Sequence, residues 1–191
     1  FLEELTKIHS LVLYDLDEGK LLSYADQPGY PPIKEGVERL ANADLIVGHN
    51  QIKFDIPAIQ KVFPEWSPKG TIRDTLVLSR LIWPKDRIRV KDNSGWGKAK
   101  NKPLKQDVGS HSLKAFGYRL GFFKGDFNES TDWQTWSPEM QSYCENDVLV
   151  TVKLWERIQW ALEKEKWPEE SVNLEHEVAT IVARQERHGW L

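Results

Sequence analysis

The chain has 191 residues, 40% of them hydrophobic and 29% charged, with a net charge of −3. That is an ordinary globular composition, long enough for one domain with a real core. No apolar run approaches the roughly 20 residues of a membrane span, no signal-peptide pattern opens the chain, and the single cysteine, Cys144, excludes an internal disulfide and fits a reducing compartment.

Ser10–Asp15 is apolar and rich in β-formers, and Leu21–Ala25 follows after Glu18-Gly19-Lys20. This predicts a hairpin with Gly19 in the turn. Gln27–Pro32 reads as a Pro/Gly loop, and Val37 and Leu40 carry helical spacing within 33–42. Leu45-Ile46-Val47, closed by Gly48, read as a short buried strand. The pattern breaks at His49-Asn50 and restarts at Phe54-Asp55, at the head of an amphipathic run to about Phe63. Asp55 thus sits where a buried strand hands over to a helix, the kind of junction at which α/β sheets bind ligands. Asn50, Phe54 and Asp55 set an amide, an aromatic face and a carboxylate at that junction. A helix cap with a core Phe accounts for the same residues more plainly.

Pro64–Gly70 is a loop. Ile72 leads through Asp74-Thr75 into apolar Leu76-Val77-Leu78 and Leu81-Ile82, a short strand and then a helix, with Asp74 as its cap rather than a ligand. Trp83–Gly109 is basic, glycine-bearing and aperiodic, and is expected to be a long functional or mobile loop. It holds eight lysines and arginines against three aspartates, a local net of +5 in a chain of −3. Such unevenness points to carboxylates gathered in one place and a polyanion handled in another. Lys98, Lys100 and Lys102 are the candidate phosphate contacts, with Trp96 as a stacking platform; a solvated linker is the alternative.

Ser110 is expected to cap a helix over 111–120, ended by Gly121, and 122–136 is irregular. Ser137-Pro138-Glu139 is a strong helix start, with the helix running to about Glu165. Val172–His188 is a further amphipathic helix. The order is α/β first and helical at the end. The only methionine is Met140, so Phe1 is not expected to be a natural start, and both ends look cut from a longer protein.

Tyr143 and Asp147 are four apart, hence on one face of their helix. Alone, that spacing also describes a surface hydrogen-bonded pair, and Cys144 between them reads as a packing residue. Together, HNQIKFD (49–55) and YCEND (143–147) resemble the second and third motifs of the DEDD exonucleases, in the subtype whose third motif carries Tyr. DTLVLSRLI (74–82) and GSHSLKAFGYRLG (109–121) resemble the proofreading domain of family A DNA polymerases from short-tailed lytic bacteriophages. The closing LEHEVATIVARQERHGWL resembles the segment leading into the polymerase.

The resemblance implies an α/β, ribonuclease H-like fold with a mixed central sheet flanked by helices. It assigns 1–168 to a 3′→5′ exonuclease domain and 169–191 to a helical lead-in to a polymerase domain of the same parent chain. It implies two divalent ions, Mg²⁺ or Mn²⁺, since two metals can serve both oxygens of an in-line displacement and hard cations prefer oxygen ligands. Asp147 would hold the ion that activates water, Asp55 the second ion near the leaving group, and Tyr143 would position the water. Asn50 and Phe54 would contact the 3′-terminal nucleotide, and His111 a substrate phosphate, unless its role is structural. The partner is single-stranded or primer–template DNA, with no membrane, in the cytoplasm of a bacterial host.

The family's first motif, Asp-x-Glu, is expected a few residues upstream of Phe1 and is not in the chain. Two of the family's four carboxylates are therefore present. Asp15-Leu16-Asp17 is a poor substitute, because it ends a strand and enters a turn, and Glu3 and Glu4 read as surface acids. Two rival readings keep the same residues: an exonuclease acting on RNA, and a catalytically inactive domain that guides single strands.

Overall fold

The computed structural model describes residues 2–96, 100–122 and 134–189. In chain order these form β1 (Leu11–Asp15), β2 (Lys20–Tyr24), α1 (Ile33–Ala41), β3 (Leu45–Gly48), α2 (Asp55–Val62), β4 (Thr71–Asp74), α3 (Thr75–Ile82), α4 (Lys85–Ser94), a 3₁₀ turn (Lys105–Asp107), α5 (Leu113–Leu120), α6 (Pro138–Glu165) and α7 (Glu169–His188). The α/β class holds. The strands, however, pair as two two-stranded sheets, β1 with β2 and β3 with β4, rather than as the one mixed central sheet that the resemblance implies. Pairing is a long-range property that the apolar pattern of a four-residue strand does not encode. No described helix is long and apolar enough to cross a membrane.

The chain divides into two compact units, each built from separated segments. The first takes 2–46, 54–72 and 134–149 of the described residues. Its hairpin is antiparallel, with Leu11 opposite Tyr24 and Asp15 opposite Lys20. Gly19 closes the turn at φ 65°, a left-handed value that glycine adopts without penalty. Asp15 accepts from the backbone N–H groups of Asp17 and Glu18, at 3.0 and 2.9 Å, and pairs with Arg39 at 2.5 Å. Its carboxylate is thus spent on the turn. α1 crosses the hairpin at Gly36, where a Cβ would come within 2.7 Å of Leu11 and 2.8 Å of Tyr24. Tyr24, Ile33, Val37, Ile59 and Trp66 form the core of this unit.

The second unit takes 47–53, 73–96, 100–122 and 150–189 of the described residues. Leu78, Ile82, Trp83, Ile88, Phe116, Leu154 and Ile158 lie at its centre. Here the structure corrects the expectation of a long loop, because Lys85–Ser94 is helical. Only Ile88 and Asp92, one turn apart, are buried on α4. Asp92 is held by Arg119, whose Nε and Nη2 donate at 2.8 and 2.9 Å, by the Trp96 indole at 2.8 Å and by the Gly109 amide at 2.8 Å. Both side chains of the ion pair are fully buried, at 0% exposure. Burial pushes the Asp92 carboxyl up, but these donors outweigh it and hold the group below its usual range.

Two helix starts also differ. α5 begins at Leu113 with Ser112 as its cap, accepting from the Ala115 amide at 3.2 Å. Ser110 instead accepts from the Ser112 amide at 3.1 Å, so the two serines act in series. α7 begins at Glu169, earlier than its apolar pattern, because Pro168 enters it and Glu169 and Glu170 fill its first turn.

Candidate functional site

The start of α6 is set by Ser137, which accepts from the Met140 amide at 3.2 Å. Ser23 Oγ donates to Glu145 at 2.6 Å and ties this end of the helix to β2. Tyr143 and Asp147 then share a face. The tyrosine hydroxyl donates to the Asp147 carboxylate. Asp55 occupies the first turn of α2, exposed, with Phe54 as the residue before it. Its charge is felt at both Asp147 and Cys144. The first unit therefore gathers Asp55, Tyr143 and Asp147.

The electrostatics follow from that grouping. Burial and then the charge of Asp55 push the Asp147 carboxyl up to about 6, against the opposing Tyr143 hydrogen bond. Burial, the Asp147 charge and the hydrogen bond to it push the Tyr143 phenol to about 12. Cys144 rises to about 11 by burial and the charges of Asp147, Asp55 and Glu145, so its thiol stays protonated.

Among the described residues no group of three or more His, Cys, Asp and Glu side chains is arranged to hold a metal ion. The donor chemistry of the pair nonetheless fits a hard divalent cation. It offers carboxylate oxygens only, their mutual repulsion is what a cation relieves, and Mg²⁺ is commonly held by one or two carboxylates together with water and substrate phosphates.

The second unit holds the other candidates. Asp74 is the expected cap of α3, accepting from the Leu76 amide at 2.9 Å. It does more, accepting also from the amides of Asn50 at 2.8 Å and Ile52 at 3.1 Å. Its own amide donates to His176 Nε2 at 2.8 Å. Asp74 thus fixes the turn after β3, in which Asn50 takes φ 63°. Asn50 and His111 line one cleft of about 390 Å³, together with His49, Arg80, Ser110 and Ser112. Arg80 is its cation, and the apolar reading of 76–82 missed it. A lone charge interrupting that apolar run was the available signal.

His49 lies 2.9 Å from Thr75 Oγ1, and His111 lies 3.0 Å from Ser79 Oγ. Burial pulls both imidazoles down to about 4, with Arg80 adding to the effect at each. Both are neutral at pH 7. A folded-state value below the unfolded one gives stability that is full above pH 6.5 and lost as pH falls toward about 4. For His49 that is worth about 3 kcal/mol. His49→Gln is expected to flatten the decline of unfolding free energy between pH 6.5 and 4, read from urea melts across that range; an unaltered slope would show that another group carries it.

Phe54 is 44% exposed in the first unit. Lys98 lies outside the described residues. Lys100 is exposed. Lys102 donates to the Asn93 carbonyl at 2.7 Å, closing the chain onto the end of α4. Trp96 is no stacking platform: it is 5% exposed, bonded to Asp92 and part of the core.

No protein-family model matches the chain. Two curated proteins are similar to it: the DNA-directed DNA polymerases of Escherichia phage T7 and Enterobacteria phage T3, each 32% identical over 230 residues. The match takes in 99% of this chain and 31% of each relative, so the chain spans under a third of their length.

Proposed function

Because this chain is homologous to bacteriophage DNA-directed DNA polymerases over 31% of their length, we propose that it is the 3′→5′ proofreading exonuclease domain of such a polymerase, with a ribonuclease H-like fold. The observation that carries this reading is the grouping of Asp55, Tyr143 and Asp147, expressed in the effect of Asp55 on the Asp147 carboxyl. In this reading the two aspartates hold Mg²⁺ or Mn²⁺. When bound, the ions supply Lewis-acid stabilisation and a water nucleophile at neutral pH.

The chain's own groups have definite parts. The Tyr143 phenol, held near 12, stays a hydrogen-bond donor throughout the working pH range and orients the attacking water. The protonated Cys144 thiol neither ligates nor attacks. Phe54 presents an exposed ring to a terminal base. In the second unit Arg80 offers a positive charge to a phosphate, while Asn50 and the neutral His111 supply hydrogen bonds. The substrate is a DNA single strand or a frayed primer end, the polymerase active site lies in another part of the parent chain, and the setting is the host cytoplasm.

The test uses the full-length protein that carries this segment, with a 5′-labelled single strand and Mg²⁺. Expected is stepwise release of mononucleotides from the 3′ end, abolished by EDTA and faster on DNA than on RNA. Faster cleavage of RNA would move the reading to an exoribonuclease. Binding without release would leave only a strand guide.

A further inference from the structure

Arg157, Trp160 and Lys164 are spaced three and four apart on α6, which places them on one face of the helix. The Arg157 guanidinium lies 4.2 Å and the Lys164 ammonium 4.5 Å from the centre of the Trp160 ring. The indole is 45% exposed. α4, in the same unit, adds to this charge. Lys91 has its ammonium disfavoured first by partial burial and then by the charges of Arg157, Arg87 and Lys164, against the opposing charge of Glu165. Glu165 answers Arg87. Arg157, Lys164 and Lys91 form no ion pair among the described residues.

Four cations, Arg87, Lys91, Arg157 and Lys164, crowd here, and the Glu165 carboxylate is committed to Arg87, in a chain whose net charge is −3. An aromatic ring holds two of the cationic heads in place. We propose that this face of α4 and α6 binds the phosphate backbone of single-stranded nucleic acid. Regularly spaced phosphates relieve the crowding, and the release of their condensed counter-ions drives the association. An exposed indole among cations also suits bases, which stack on aromatic side chains whatever the sequence. An acidic peptide would meet the cations and leave the indole unused. Binding at this face needs no hydrolysis.

The experiment measures binding of a labelled oligothymidylate to the 191-residue chain in EDTA, by fluorescence anisotropy over a salt series. EDTA silences cleavage, so failure here leaves the nuclease reading standing, and the reverse. Arg157→Glu with Lys164→Glu is expected to weaken binding at least about tenfold at low salt and to reduce the slope of log K against log salt by about 1.4, the loss of two phosphate contacts. Trp160→Ala weakens binding with the slope nearly kept. Lys7→Glu with Lys34→Glu makes the same charge change in the first unit and leaves binding near wild type. If the reversed pair lowers the melting midpoint, Arg157→Gln with Lys164→Gln replaces it, with the same loss of slope expected. An unchanged slope overturns the proposal, as does an equal loss in the Lys7/Lys34 control. So does loss of oligoglutamate binding while oligothymidylate binding survives, which would make the face a protein-docking site.

Discussion

In the proposed proofreading exonuclease, Asp147→Asn is expected to lower mononucleotide release from single-stranded DNA about 10³-fold, yet to raise the melting midpoint of the 191-residue chain in EDTA by several degrees. The first effect follows from the proposed role of Asp147 as an anionic oxygen ligand, since metal stabilisation of the transition state is worth several kcal/mol and each 1.36 kcal/mol is tenfold in rate. The second follows from the sign of the pKa shift. The Asp147 carboxyl stands at about 6 in the fold against an ordinary 3.8. Ionisation is therefore disfavoured in the folded state. At neutral pH the charge costs about 3 kcal/mol, and the cost fades as pH falls from about 6 to 3.8. An amide of the same shape carries no such cost and still accepts from Tyr143. Opposite movements of rate and stability mark a residue kept for chemistry against the interest of the fold. Calorimetry in EDTA beside the release assay reads both. A fall in the midpoint would make Asp147 an ordinary packing residue, and undiminished release would remove it from catalysis.

Asp92→Ala is the most damaging single change expected outside that cluster, at about 3–5 kcal/mol. It leaves the buried Arg119 guanidinium without its anion and strands the Trp96 indole and the Gly109 amide. For a chain of this size each kcal/mol moves the midpoint by about 2–4 °C, so urea and thermal melts should both register it. Much of the penalty is the orphaned charge rather than the worth of the pair. Asp92→Leu with Arg119→Met is expected to recover most of the loss. A double variant no more stable than Asp92→Ala would show that the geometry of the pair, not its charge, holds α4 to α5.

The elements that the sequence makes legible are those marked by apolar periodicity or by a cap. Gly19 marks the hairpin, Ser137-Pro138 marks α6, and Leu45–Val47 mark β3. α4 is hidden because half of its inward face is a carboxylate, and apolar periodicity does not register a buried charge. Ser110 and Ser112 are equally good caps by composition. Only the hydrogen bonds, Ser110 to the Ser112 amide and Ser112 to the Ala115 amide, separate them. Strand partners depend on contacts far along the chain, which motif strings do not carry. The acidic cluster was readable through its motifs, because Asp55 and Tyr143–Asp147 keep recognisable neighbours. Arg80 and the triple acceptor role of Asp74 were not, since one is a charge inside an apolar run and the other acts wholly on backbone amides.

The bond from the Asp74 amide to His176 bears on how the protein can be trimmed. His176 also lies 2.7 Å from the Val172 carbonyl one turn back, and Arg73 pairs with Glu169 and Asn173, so α7 is stitched at several points to the strand that ends in Asp74. Shortening the protein ahead of Glu169 would take away the acceptor of that amide. The loosening would then surface at Asn50 and Ile52, more than a hundred positions from the cut, where the same carboxylate clasps the chain.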